Sequence, residues 1–166
     1  MMESMKSVNP KINFFATPRP LFEAYSREER EKEWGHKDNV PWSPYPRWIL
    51  PWTQDGTKKM DDGKTAPKWV EGKLDLAALV QYFADYLNLM HRKGFEISYL
   101  DVTNEKKTVS PADIKFISES LPKLLDNGVN MPKLVVPSSW DIKQATDWLK
   151  SVNISKLNNS ISVENL

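Results

Sequence analysis

Residues 75–105, DLAALVQYFADYLNLMHRKGFEISYLDVTNE, decide the fold. Leu76, Leu79, Val80, Phe83, Leu87 and Met90 recur at the spacing of one helical face, behind an Asp75 suited to cap the first turn. His91, Arg92 and Lys93 suit the negative end of the helix dipole, and Gly94 suits the position just past the last turn. A strand over 95–103 follows at once and leaves the sheet at Asn104-Glu105. A helix that runs through one glycine into a strand is half of a βαβ unit.

Working outward, the same alternation recurs. INFFATP, residues 12–18, reads as a short buried strand bounded by Pro10 and Pro18. MMESMKSVNPKI ahead of it reads as the end of a helix. Downstream, Ser110-Pro111 with Asp113 supplies a cap, a first-turn proline and an acidic third residue. Ile114, Ile117, Leu121, Leu124 and Leu125 form that helix's apolar face, Asn127-Gly128 stops it, and Pro122 should kink or divide it. KLVV, residues 133–136, is another buried-type strand. Ser139 or Asp141 caps a helix with Ile142, Ala145, Trp148, Leu149 and Val152 inward, and SISV, residues 160–163, is a last strand. Strands at 12–18, 95–103, 133–136 and 160–163 with helices between them predict an α/β fold with a parallel sheet and right-handed crossovers.

Residues 19–72 break the pattern. They hold five of the seven tryptophans, Trp34, Trp42, Trp48, Trp52 and Trp69, among Pro20, Pro41, Pro44, Pro46, Pro51 and Pro67. EREKEWGHKD supports one exposed helix near 26–34. The rest shows no sustained periodicity and is expected as a long insertion loop within a single domain, its tryptophans arguing against disorder.

Composition removes several function classes. A chain of 166 residues can bury one real core, and its net charge of +1 gives no electrostatic case for nucleic acid or an anionic membrane. No apolar run is long enough to span a bilayer, and the first residues carry no signal-peptide hydrophobic stretch; no compartment is indicated. Zero Cys and two His leave neither a disulfide framework nor a thiolate or histidine-rich metal site. Gly-rich phosphate loops are absent too. No metal and no cofactor are expected.

The chemistry should then lie at the carboxyl ends of the strands, where parallel α/β scaffolds place it. There Asn104-Glu105 sets an amide beside a carboxylate, and carboxylates are the working groups of glycosidases. The plain alternative is an exposed Glu heading a polar loop, since Lys106 and Lys107 follow. Arg19 leaves the first strand end, and Ser138 and Trp140 leave the third. Trp42, Trp48 and Trp52 offer flat faces for sugar rings, or else pack the loop on itself. Asp101, two residues from Thr103 and four from Glu105, should face the interior as a satisfied structural carboxylate. His36 and His91 are assigned no chemistry.

VNPKINFFATPRP (8–20), WSPYPRW (42–48) and LAALVQYFADYLNLMHRKGFEISYLDVTNE (76–105) together resemble the central part of a clan A glycoside hydrolase, closest to family 30 with its glucosylceramidase-like and xylanase-like members. The resemblance covers about residues 5–163 and implies a partial TIM (β/α)8 barrel, its third to sixth strands. It implies Glu105 as general acid/base of a retaining enzyme, Asn104 as a partner of the sugar 2-hydroxyl, and a β-linked oligo- or polysaccharide as substrate. Lys106 stands where the family has proline, and the family's nucleophile belongs to a later strand, so none is assigned here. The chain is therefore expected to be a truncated piece, inactive alone and prone to self-association through open sheet edges. Two other readings are a non-catalytic carbohydrate-binding domain and a flavodoxin-like interaction domain in which Asn104-Glu105 is incidental.

Overall fold

The structure, a computed structural model, describes residues 2–20, 23–104, 109–136, 142–151 and 161–162. The chain divides into two compact units, one of Met1–Thr17 with Val80–Leu166 and one of Pro18–Leu79.

The first unit holds the alternation. Helix α1 (Met2–Val8) leads to β1 (Phe14–Ala16). After α2 (Arg27–Trp34), β2 (Trp52–Lys59) and β3 (Thr65–Glu71) of the second unit come α3 (Leu76–Arg92), whose first turn still belongs to that unit, β4 (Ile97–Asp101), α4 (Pro111–Ser120), β5 (Lys133–Val135), α5 (Ile142–Ser151) and β6 (Ile161–Ser162). The sheet runs β1-β4-β5-β6 with every pairing parallel. Ala16 pairs with Leu100, Leu100 with Leu134, and Leu134 with Ile161. Ile97, Leu100, Leu134 and Val135 of the strands are buried, as are Val80, Phe83, Ala84 and Leu87 of α3 and Ile114 and Ile117 of α4. The α/β class and the parallel sheet are those the periodicity predicts.

Several local expectations hold for stated reasons. Ser110 and Asp113 form a reciprocal capping box with Pro111 in the first turn of α4. At Pro122, which has no N–H to donate, the α-helix gives way to a single 3-10 stretch, Leu121–Leu124. The buried amide of Asn88 in α3 then clasps that segment, donating to the Leu124 carbonyl at 3.1 Å and accepting from the Asp126 N–H at 2.9 Å. The strands are shorter than the sequence suggests. β1 stops before Pro18, which cannot donate to a ladder. β4 stops at Asp101 because the Thr103 and Asn104 N–H groups turn to its carboxylate instead of a neighbouring strand.

Residues 19–72 depart from the expected loop. The helix is there as α2 (Arg27–Trp34), with a Ser26/Glu29 capping box. Beyond it, β2 (Trp52–Lys59) and β3 (Thr65–Glu71) form an antiparallel hairpin. Its turn is tied by the Met60 N–H on the Lys64 carbonyl and the Gly63 N–H on the Met60 carbonyl. Periodicity does not reveal it because β2 is exposed at every position after Trp52, so no apolar alternation marks the strand. Asp61-Asp62-Gly63 before Lys64 was the available turn signal.

This unit has its own core. Trp34, Tyr45, Ile49 and Leu50 are fully buried. Trp69 packs edge-on against Trp34, centroids 5.3 Å apart, and donates its indole N–H to the Trp34 carbonyl. The Arg47 guanidinium lies 4.8 Å from the Trp34 ring and 5.2 Å from that of Trp69, while bonding Glu33 and the Trp52 carbonyl. Asn39 donates to the carbonyls of Trp34 and Pro67, stitching helix end to hairpin.

Gly35 ends α2 in the left-handed region, φ 76°, and a Cβ there would overlap the Pro67 ring. Gly63, φ 81°, faces open space. Gly35→Ala should therefore cost about 2–4 kcal/mol, backbone strain plus overlap, and Gly63→Ala only about 1 kcal/mol. Urea unfolding followed by tryptophan fluorescence checks this, and equal costs would contradict the packing described.

Candidate functional site

At the carboxyl end of β4 a single carboxylate organises the backbone. Asp101 is 3% exposed. Its Oδ1 accepts from the Thr103 N–H at 2.8 Å, the Thr103 hydroxyl at 3.1 Å and the Asn104 N–H at 2.9 Å. Its Oδ2 accepts from the Thr17 hydroxyl at 3.0 Å. Thr17 directly follows β1, and the parallel pairing of Ala16 with Leu100 brings it beside Asp101. The expected structural carboxylate is thus present and satisfied.

Asn104, half-buried, follows this turn with φ 37°, the one non-glycine among the described residues in the left-handed region. Asparagine tolerates that region better than most residues, yet it remains sparsely populated. The strand itself ends at Asp101, and Thr103, buried beside it, belongs to the turn that follows. Glu105, Ser138 and Trp140 lie outside the described residues.

The other sequence candidates belong to the Pro18–Leu79 unit. Arg19 is exposed and forms an i,i+4 ion pair with Glu23, its Nε donating at 2.8 Å. Trp48 is 60% exposed, whereas Trp42 and Trp52 are half-buried, Trp52 opening β2. Of the three proposed platforms, then, Trp48 presents the most surface. Among the described residues no cluster of three or more His, Asp or Glu could hold a metal ion, and no helix is long and apolar enough to cross a membrane.

Sequence reasoning passed over His36, a residue of the loop after α2 that is only 3% exposed. Its Nδ1 accepts from the Asp38 N–H at 3.2 Å, so the proton sits on Nε2, which donates to Asp62 Oδ2 at 3.0 Å. The pair joins the end of α2 to the hairpin turn across 26 residues. Only the unrecognised hairpin could have revealed it. Thr17 was likewise invisible, since its role depends on strand pairing.

No family model matches the chain, and no curated protein or solved structure matches it.

The His36 hydrogen bond, followed by that from the Lys64 N–H, pulls the Asp62 carboxyl down from its ordinary 3.8 to about 2. A lowered folded-state value stabilises the fold above the ordinary value and loses that contribution as pH falls towards the folded one. Asp62→Asn should therefore melt below wild type at pH 5, and the gap should close between pH 4 and pH 2. Thermal melts across that range check it; a gap independent of pH would show that the carboxylate charge does not matter.

Proposed function

We propose that this chain carries the acid/base strand of a retaining O-glycosyl hydrolase for a β-linked glycan, its parallel sheet forming part of a (β/α)8 barrel. One observation supports the reading above others. A buried four-donor network ends the inner strand β4 and holds Asn104 at the carboxyl end of a parallel sheet, in a sparsely populated backbone conformation. Strained backbone of this kind concentrates at functional sites.

The chemistry rests on the residue types. Glu105 protonates the leaving glycosidic oxygen, then takes a proton from the water that releases the sugar. The Asn104 carboxamide, with both donor and acceptor atoms, holds the 2-hydroxyl, whose hydrogen bond strengthens in the transition state. Double displacement also requires a second carboxylate as nucleophile, and no residue here is assigned that role. The chain by itself is expected to bind glycan without cleaving it.

A second reading, carbohydrate binding without catalysis, draws on Trp48. Its exposed indole, next to Arg47 on a segment stiffened by Pro44 and Pro46, offers a rigid apolar face to a pyranose ring. Calorimetric titration with xylo- and cello-oligosaccharides separates the two. Under the first reading Asn104→Ala weakens binding roughly five- to tenfold, the worth of one hydrogen bond, whatever Trp48→Ala does. Loss of binding on Trp48→Ala with Asn104→Ala unchanged selects the binding module. No binding of either oligosaccharide by the wild type would remove both readings for these glycans, and release of reducing ends would overturn the expectation of inactivity.

A further inference from the structure

We infer that Asp101 is a positioning residue: its buried carboxylate holds Asn104 in the left-handed turn and couples that turn to the end of β1. The functional consequence rests on the glycosidase reading, whereas the conformational claim stands on the geometry alone.

The case begins with an imbalance. A carboxylate as buried as Asp101 loses its hydration and must recover it from donors in the fold. Among the described residues its partners are two hydroxyls and two backbone N–H groups. Three of those four bonds reach one oxygen, and all three come from the two residues immediately before Glu105. A strand could end there without a buried charge, on water or a simple turn. What the charge adds is a strong acceptor for two successive N–H groups, roughly twice as effective as a neutral one. That draws the backbone round Asp101 and stabilises the positive φ of Asn104.

The second oxygen extends the effect. By accepting from Thr17, Asp101 ties the exit of β4 to the exit of β1, from which the chain continues to Arg19. The direction in which Asn104 leaves the sheet is therefore set by two strands, not one. Buried as it is, Asp101 acts through Asn104.

The test uses the full chain, labelled with nitrogen-15 and carbon-13. In the wild type Asn104 should show the strong intraresidue amide-to-Hα Overhauser effect of a positive φ, and the Thr103 and Asn104 amides should exchange slowly with solvent. Asp101→Ala should weaken that effect and speed exchange of both amides about tenfold, each having lost a hydrogen bond, with Leu134 in β5 unaffected. Asp101→Asn, which keeps an acceptor oxygen without the charge, should restore most of the wild-type signature. Should the alanine variant fail to fold, the asparagine variant decides: about threefold faster exchange is expected, and wild-type rates overturn the inference. Unchanged Asn104 signals in a folded Asp101→Ala protein overturn it as well.

Xylo- and cello-oligosaccharide binding supplies the separate functional arm. If Asp101 acts through Asn104, the Asp101→Ala/Asn104→Ala double variant binds no more weakly than Asn104→Ala alone. Additive losses would instead contradict the route through Asn104. A wild type that binds neither sugar fails the glycosidase reading for those glycans, while the Asn104 resonances still decide the positioning claim.

Discussion

The pairing of β1 with β4 is the constraint on which the rest of the architecture depends. Adjacent parallel strands cannot be joined by a turn, because the end of one and the start of the next lie at opposite ends of the sheet. The chain must cross over, and residues 17–96 do so. An ordinary crossover is one helix, and α3 fills that role here. What is added is a whole unit, Pro18–Leu79, with a helix, a hairpin and a hydrophobic set of its own. Loop-closure entropy rises only slowly with length, so a long insertion is thermodynamically tolerable if it orders itself.

That self-ordering explains the unusual Trp and Pro content of the segment. A two-stranded hairpin is marginal alone and needs something to pack against. Trp34 at the end of α2 supplies it, meeting Trp69 of β3 edge to face, with the Arg47 guanidinium across both rings. Aromatic side chains bury large areas at low cost in rotamer entropy, which suits a unit of modest size. Polar clasps then fix register: Asn39 spans helix end and β3, and His36 holds the hairpin turn through Asp62. Asn39 and His36 are buried, and the clasps satisfy donors that burial would otherwise leave without partners.

In the parallel sheet the polar economy is different. Its strands are short, and the transition from strand to loop at β4 is governed by Asp101 rather than by a glycine or a proline. A carboxylate used this way takes up the N–H groups that would continue the ladder and turns the backbone at Thr103 and Asn104. Under the proposed glycosidase reading, that turn presents the Asn104 amide to a sugar in a reproducible position.

The sequence by itself determined the elements whose signal is local. The apolar stripe of α3, the Ser110-Pro111-Asp113 start of α4, the break at Pro122 and the β-rich runs around Phe14, Leu100 and Leu134 each arise from side chains a few residues apart. The inward, satisfied state of Asp101 was legible for the same reason, through strand alternation and the cost of burying a charge. Tertiary structure alone decided the hairpin, whose β2 shows no apolar alternation and whose stability comes from Trp34 and Asn39 many residues away. It also decided the burial of His36 and the partnership of Thr17 with Asp101. Each of these depends on groups brought together by pairing and packing, contacts that no periodicity encodes.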